Sequence, residues 1–436
     1  MREAGRLTGA IEVLEIFESQ HVPLKTCLTD WGRAHRFAGS GDRSWISSLC
    51  HDVVRRRHSL AHRMQSDSPR AACLGALRDI WGWDTERIAD VAAEEPYGPG
   101  PLEAHEVEAL RGELSAGDAD TATQADFPAW VLPHLDMPEG MLMAEGQAMA
   151  ARAPVDLRVN SLKADPEKAV KSLNTINAQA TDFIETALRI APPVAHQKIP
   201  ALDAMPAFAK GWVEVQDLGS QMVTLAVGNI RGKQVLDYCA GAGGKTLALA
   251  SLANNSGQIF AYDVEPRRLA PVFERMRRAG TRNIQVRSPA EGATLDDLIG
   301  AMDVVFVDAP CSGSGTWRRK PESKWRLTPE QLERRQAQQD DALARASQFV
   351  KPGGVLVYVT CSIISTENRM RVDHFLTQDE NFTETDTLDH MQQTGLLKGN
   401  AAEQLRLRQS AQGSLQLTPY RTGTDGFFVS TLVKKG

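Results

Sequence analysis

Gln234-Val-Leu-Asp-Tyr-Cys239-Ala-Gly-Ala-Gly-Gly-Lys-Thr246 decides the fold. A strand-like apolar run ends at Asp237, glycines follow at 241, 243 and 244, and a helical stretch opens at about Lys245. Glycines in such a turn let backbone amides approach a ligand at a helix N-terminus. A phosphate-binding P-loop would need glycine at 239, where the chain has Cys239. A dinucleotide fingerprint fails more softly, because the spacing of its third glycine is missing.

The next strand-like run, Gln258-Ile-Phe-Ala-Tyr262, ends in Asp263, where a carboxylate can accept both hydroxyl protons of a ribose. The competing reading makes Asp263 the N-cap of a helix that begins near Pro266. Further runs at 304–307 and 355–359 alternate with helical stretches over 245–253, 266–279 and 328–350. This alternation predicts a doubly wound, mostly parallel α/β sheet, which binds ligands beyond the carboxyl ends of its strands. Two of those ends carry a thiol, in Asp308-Ala-Pro-Cys311 and Thr360-Cys361-Ser362. Small or polar residues follow each of them, so Cys311 and Cys361 can face one reactive atom in the crevice. Cys27, Cys50 and Cys73 lie on helical faces and read as small buried hydrophobes. Cys239, inside the glycine turn, reads as structural or backbone-contacting.

A chain of 436 residues is too long for one small core, at about one domain per 150 residues. With 42% apolar and 24% charged residues it is an ordinary globular sequence, and no apolar run approaches a bilayer span. The opening Met1-Arg-Glu-Ala-Gly-Arg6 lacks a signal peptide's apolar stretch, which makes the cytoplasm the expected compartment. Six cysteines without Cys-x-x-Cys spacing exclude a disulfide framework and a zinc ribbon, so no metal is expected. The formal charge of −6 disfavours nonspecific polyanion binding. Locally the balance reverses: Arg318, Arg319, Lys320, Lys324, Arg326, Arg334 and Arg335 outnumber Glu322, Glu330 and Glu333, immediately after Cys311. Such a patch suits a phosphate backbone, or forms a solvated helix face.

Upstream, residues 1 to about 90 show helical periodicity, as in Ile11, Leu14 and Phe17, and predict a small bundle. Phe37 to Trp45 reads as a loop into a helix, and Arg55-Arg-Arg57 near that helix's end either touch RNA or complement the helix dipole. A Pro-, Gly- and Ala-rich tract suggests an interdomain connection near 115–130. Short strands at 156–159 and 187–190 around a helix over 166–173 predict a compact α+β module. The expected division is 1–130, 131–211 and 212–436.

From about Val155 to Val433 the chain resembles the Sun/NSUN (RsmB-like) family of RNA cytosine-5 methyltransferases. The likeness is carried by Leu157-Arg-Val-Asn160, Val215-Gln-Asp-Leu-Gly-Ser-Gln221, Cys239 to Thr246, Asp308-Ala-Pro-Cys311, Lys320-Pro-Glu-Ser-Lys-Trp-Arg326, Thr360-Cys-Ser362 and Asp425-Gly-Phe-Phe428. It implies S-adenosylmethionine as methyl donor, Cys361 as nucleophile on cytosine C6, and Cys311 as the thiol that assists product release. Asp308 would lie beside both the methionine end of the cofactor and the target base. The cofactor-binding set is then Cys239, Ala240, Gly241, Ala242, Gly243, Gly244, Lys245, Asp263, Arg268 and Asp308.

The N-terminal part, with Asp42-Arg43 before a helix and Arg55-Arg-Arg57 after it, resembles the NusB-like RNA-binding domain of bacterial small-subunit ribosomal RNA methyltransferases. That makes small-subunit ribosomal RNA the leading substrate, with transfer RNA second, and the 150–210 module a ferredoxin-like RNA-binding subdomain. A Rossmann-like catalytic domain and a monomer are expected. Two departures stand out. Ala242 occupies the position where the family usually has proline, and Val286-Arg-Ser-Pro-Ala-Glu291 lacks the family's adenine-binding aspartate, leaving Ser288 or Glu291 to substitute. The rival from another class is an RNA-binding assembly or antitermination factor with a vestigial catalytic fold. Amino-group methylation would need an Asn-Pro-Pro-Tyr-type motif where Asp308-Ala-Pro-Cys311 stands.

Overall fold

The computed structural model describes residues 1–112, 119–192, 202–292 and 294–436, with the backbone alone at 291. Six helices open the chain: α1 (Glu3–Gln20), α2 (Leu24–Ala34), α3 (Ser40–Arg55), α4 (Arg57–Met64), α5 (Pro69–Asp79) and α6 (Thr85–Ala93). Apolar residues at helical spacing close one core among them, including Leu7, Leu14 and Phe17 of α1, Trp45 and Leu49 of α3, and Leu74 of α5. Cys27, Cys50 and Cys73 are buried in it. Asp42 does not precede a helix. It sits in the first turn of α3, where its buried carboxylate accepts from the Gly39 amide, the Arg6 guanidinium and the amino terminus.

The connection expected near 115–130 falls partly on 113–118, outside the described residues. The rest of it is not a linker. Asp126 is 3% exposed and accepts from the amides of His58 and Ser59 at the start of α4, so this stretch is tied to the bundle. Helical structure then continues to Ala150. Phe127, Val131 and Leu142 pack against Trp317, Ile363 and Ile364, directly behind the two cysteine-bearing turns.

A four-stranded antiparallel sheet follows, built from β1 (Val155–Val159), β2 (Gln179–Ala180), β3 (Ala187–Ile190) and β4 (Val213–Val215) in the order β2-β3-β1-β4. One helix, Pro166–Ser172, joins β1 to β2, and a second, Pro206–Ala209, precedes β4. The boundary expected at 211/212 is therefore misplaced. Val213 pairs with Val159 and joins the module's core with Leu157 and Leu188, so the module ends only after β4.

The main sheet contains β5 (Gln234–Asp237), β6 (Gln258–Tyr262), β7 (Ile284–Arg287), β8 (Met302–Asp308), β9 (Val350–Thr360), β10 (Phe382–Thr385), β11 (Leu415–Leu417) and β12 (Phe427–Lys434). Its order is β10-β12-β9-β8-β5-β6-β7, with β11 on β12. The strands from β7 to β9 are parallel, and β12 joins β9 antiparallel. Helices cover both faces, which is why the central strands read as continuous apolar runs. Val304, Phe306 and Val357 enter one core, while Val305, Val307 and Leu356 enter the other. The helical stretch expected over 266–279 is broken into Pro266–Leu269 and Val272–Ala279, with Pro271 at the break. No described helix is long and apolar enough to cross a membrane.

Candidate active site

Between β5 and β8 the strand order reverses direction, and a crevice opens beyond the carboxyl ends at such a switch point. The glycine turn hangs there. Gly243 has φ +80°, a conformation that L side chains rarely adopt, and it forms the N-cap of the helix Gly244–Leu252. The amides of Gly244 and Lys245 lie in that helix's first turn, where they lack intrahelical acceptors and point outward as an anion cradle. Asp263 is 1% exposed, and its carboxylate accepts from the Gly241 amide at 2.9 Å and the Glu265 amide at 2.9 Å. Arg268 closes on it at 3.2 Å. Asp263 thus shapes the turn, and the half-exposed Arg268 side chain pairs with it. It is not the cap of the next helix, a place taken by Glu265.

Cys239 is packed with Tyr238 and Tyr262, and its thiol is pushed up by burial and the nearby carboxylates. Ser288, beyond the end of β7, is buried. The side chain of Glu291 lies outside those described.

Asp237, at the tip of β5, is fully buried. Thr246 donates to one of its oxygens at 2.6 Å and the other has no partner, and burial raises its pKa to about 7. Lys245 does not turn into the glycine loop. Its Nζ donates to Asp308 at 2.7 Å and lies 5.3 Å from the Phe427 ring. Burial works against this ammonium, but the Asp308 carboxylate outweighs it, and the charge of Cys361 adds to the same effect.

The sulfurs of Cys311 and Cys361 are 3.3 Å apart. Parallel pairing brings them together, since Asp308 lies opposite Val359 at the ends of β8 and β9. Both thiols are half-buried. A hydrogen bond with Cys361, then burial, hold Cys311 well above the ordinary thiol value, which favours its protonated form. At Gly315 the turn after Cys311 meets both Cys361 and the turn that enters β12 at Gly426. A Cβ on Gly315 would lie 1.9 Å from the Gly426 oxygen, so only glycine permits the hydrogen bonds that run from the Gly426 amide to the Gly315 oxygen and from the Gly315 amide to the Cys361 oxygen.

The basic cluster after Cys311 divides into two groups. Arg318 and Arg319 are consumed internally, each donating from Nε to Asp425 at 2.6 Å, and Arg319 also reaches Asp217 at 2.9 Å. Lys324 is 1% exposed, donates to the Arg55 oxygen at 3.0 Å, and is lowered by burial to about 8. Trp325 donates to the Val54 oxygen at 2.7 Å and Arg326 to the Val22 oxygen at 2.5 Å. Arg55 is likewise committed, to Asp52 and the Arg318 oxygen, so it contacts the segment after Cys311 rather than an external partner. Arg55, Lys324, Trp325 and Arg326 thus fasten the helical bundle to the segment after Cys311.

Arg326, Arg334 and Arg335, with Cys311, Ser312 and Pro23 of the bundle, line a cleft of about 510 Å³. Glu322 shares that lining, and the three arginines leave it net basic beside the Cys311 thiol.

Beside the thiols, the partners of the buried acids Asp425 and Glu367 are not legible in the sequence. Asp425 was recognisable only as part of a motif, without its partners. Glu367 is 0% exposed and accepts from Ser312 and Ser362, the residues that follow the two cysteines. Neither position carries a local pattern that distinguishes it from a surface acid.

The pattern defining the family described as 16S rRNA methyltransferase RsmB/F matches residues 223–433. Ribosomal RNA small subunit methyltransferase B of Pectobacterium carotovorum subsp. carotovorum (strain PC1) is 31% identical over 332 residues, covering 74% of this chain and 70% of the relative. The crystal structure of PH0851 superposes with a TM-score of 0.70 at 20% identity, over 100% of this chain and 99% of the other. A methyltransferase homolog protein from Pyrococcus horikoshii superposes with a TM-score of 0.55 at 24% identity, over 72% of this chain and 98% of the other.

Proposed function

The chain belongs to the RsmB/F family of 16S rRNA methyltransferases, and on that premise we propose that it forms 5-methylcytosine in small-subunit ribosomal RNA. The observation that carries this reading is the pair of sulfurs 3.3 Å apart at neighbouring strand ends.

S-adenosylmethionine, which supplies an electrophilic methyl group, is the cofactor, and the donor set fits it. The free amides of Gly244 and Lys245 suit a carboxylate, Asp308 suits an ammonium, and Asp263 suits ribose hydroxyls once Arg268 moves. Gly241, Ala242 and Gly243 leave room for backbone contact, and Cys239 and Ala240 support the turn from beneath.

Cytosine C5 is a poor nucleophile. The Cys361 thiolate adds to C6, a C–S bond forms, and the electron pair moves to C5, which can then take the methyl group. Afterwards the C5 proton passes to water, its bonding pair re-forms the C5=C6 double bond, and the C–S bond breaks with its electrons going to the Cys361 sulfur. Cys311, held in its protonated form 3.3 Å away, assists by donating to that departing sulfur. Asp308, steadied by Lys245, holds the base's polar edge.

A nucleobase reaches the thiols only out of its stack, and the cleft bounded by Arg326, Arg334 and Arg335 is the place for the flanking phosphates. The helical bundle acts as a NusB-like RNA-binding domain. The βαββαβ order of the small module supports its reading as a ferredoxin-like RNA-binding subdomain.

Purified protein incubated with labelled S-adenosylmethionine and small-subunit ribosomal RNA tests the reading. Label confined to cytosine, mapped as 5-methylcytosine by bisulfite sequencing, is expected. No incorporation, or label on an exocyclic amine, contradicts it.

A further inference from the structure

We propose that Glu367 is a positioning residue that holds the two thiol-bearing turns in a fixed mutual geometry. Its carboxylate has no exposure and no ion-pair partner among the described residues. Instead it takes four hydrogen bonds. The Ser312 amide and Gln339 Nε2 donate to Oε1 at 2.7 and 3.1 Å, and the hydroxyls of Ser312 and Ser362 donate to Oε2 at 2.5 and 2.6 Å. Ser312 immediately follows Cys311 and Ser362 immediately follows Cys361, so one carboxylate fixes the chain just beyond each sulfur. Gln339 extends the brace by also donating to the Pro310 oxygen at 2.9 Å, on the other side of Cys311.

The backbone of the same residue is anchored by Tyr358, whose hydroxyl donates to the Glu367 oxygen at 2.7 Å from within β9. Asn368 completes the attachment, donating to the Ser362 oxygen at 3.0 Å. A buried anion is costly unless its lone pairs are filled. Serine and glutamine donors fill them here without neutralising the charge, so the negative field persists beside Cys311. That field is one of the influences raising the Cys311 thiol, after the hydrogen bond with Cys361 and burial. The brace therefore acts on geometry and on proton retention together.

The proposal rests on the two-thiol reading, but one arm of its test needs no RNA. Glu367→Ala and Glu367→Gln are compared with the unaltered protein for single-turnover methyl transfer, for S-adenosylhomocysteine affinity, and for the pH midpoint of Cys311 alkylation, read by peptide mapping. Glu367→Ala is expected to lose methyl transfer by about a hundredfold, the scale of a misplaced reacting group, with S-adenosylhomocysteine affinity within about twofold. Glu367→Gln keeps the shape and removes the charge. It is expected to retain intermediate activity and to move the Cys311 midpoint to lower pH by about half a unit or more. Unaltered turnover in either variant overturns the proposal, and so does an unmoved midpoint. Loss of cofactor affinity in both variants also overturns it, because Glu367 would then support the whole domain rather than two turns. Methyl transfer absent even from the unaltered protein, with the midpoint shifted as expected, would count against the enzymatic reading while leaving the brace intact.

Discussion

Removing the Asp425 carboxylate should unfasten the turn that carries Cys311. Asp425 is 2% exposed and takes the Nε groups of Arg318 and Arg319 at 2.6 Å each. Asp217, the other acid of the cluster, lies 3.5 Å from Arg318 and already accepts from the amides of Gly219, Ser220 and Asp425. Asp425→Ala leaves two guanidinium groups facing one carboxylate. An uncompensated charge in a buried site costs about 3–5 kcal/mol. Arg319 is 30% exposed and can turn its charge toward water, so the lower end, about 3 kcal/mol, is the better figure. For a cooperative unit of about 200 residues that corresponds to a fall in melting temperature of about 6–12 °C. Tryptophan fluorescence reads it directly, because Trp317 is 1% exposed and precedes Arg318. Replacing Arg318 and Asp425 together by leucine leaves Arg319 with Asp217 as a balanced pair, and should recover part of the loss. A fall under about 2 °C in Asp425→Ala, or a double variant less stable than the single one, would refute the reasoning.

Asp237 gives a pH dependence. Its pKa in the folded protein is about 7, above the ordinary carboxyl value of about 4, so the fold favours the neutral form. That contribution is complete below about pH 4 and disappears as pH rises through 7, a span worth at most about 4 kcal/mol. Asp237→Asn should flatten the loss of melting temperature between pH 5.5 and pH 8, and parallel curves for the two proteins would contradict the assignment. At the cleft, Arg334→Gln with Arg335→Gln should raise KM for RNA several-fold, leave kcat within about twofold, and lower the salt slope of binding by about one to two. An unchanged salt slope would remove these arginines from the phosphate path.

The central sheet was readable because parallel strands covered on both faces are written as continuous apolar runs, as in Val304–Val307. The glycine turn was readable because positive φ at Gly243 leaves little choice of residue. β12 was harder to foresee, since its antiparallel place beside β9 depends on pairing across some seventy residues rather than on local pattern. The same limit governed the charges. Arg318 to Arg326 form a basic run by position alone, but their partners are Asp425, Asp217 and backbone oxygens of the bundle, at sequence separations no periodicity encodes. By position Lys245 belongs with the cofactor loop, because it follows the glycines, whereas its long side chain reaches Asp308 at the end of β8. Both thiols are legible because each lies just beyond an apolar strand. The Glu367 that braces them is not, because a single acid in a short turn has no signature of its burial.

Denaturing electrophoresis of the protein after incubation with S-adenosylmethionine and ribosomal RNA tests the two-thiol chemistry most directly. Cys311→Ala should accumulate a covalent protein–RNA band, while Cys361→Ala and the double variant should form none. A band that survives Cys361→Ala, or a Cys311→Ala protein that turns over cleanly, would contradict the account.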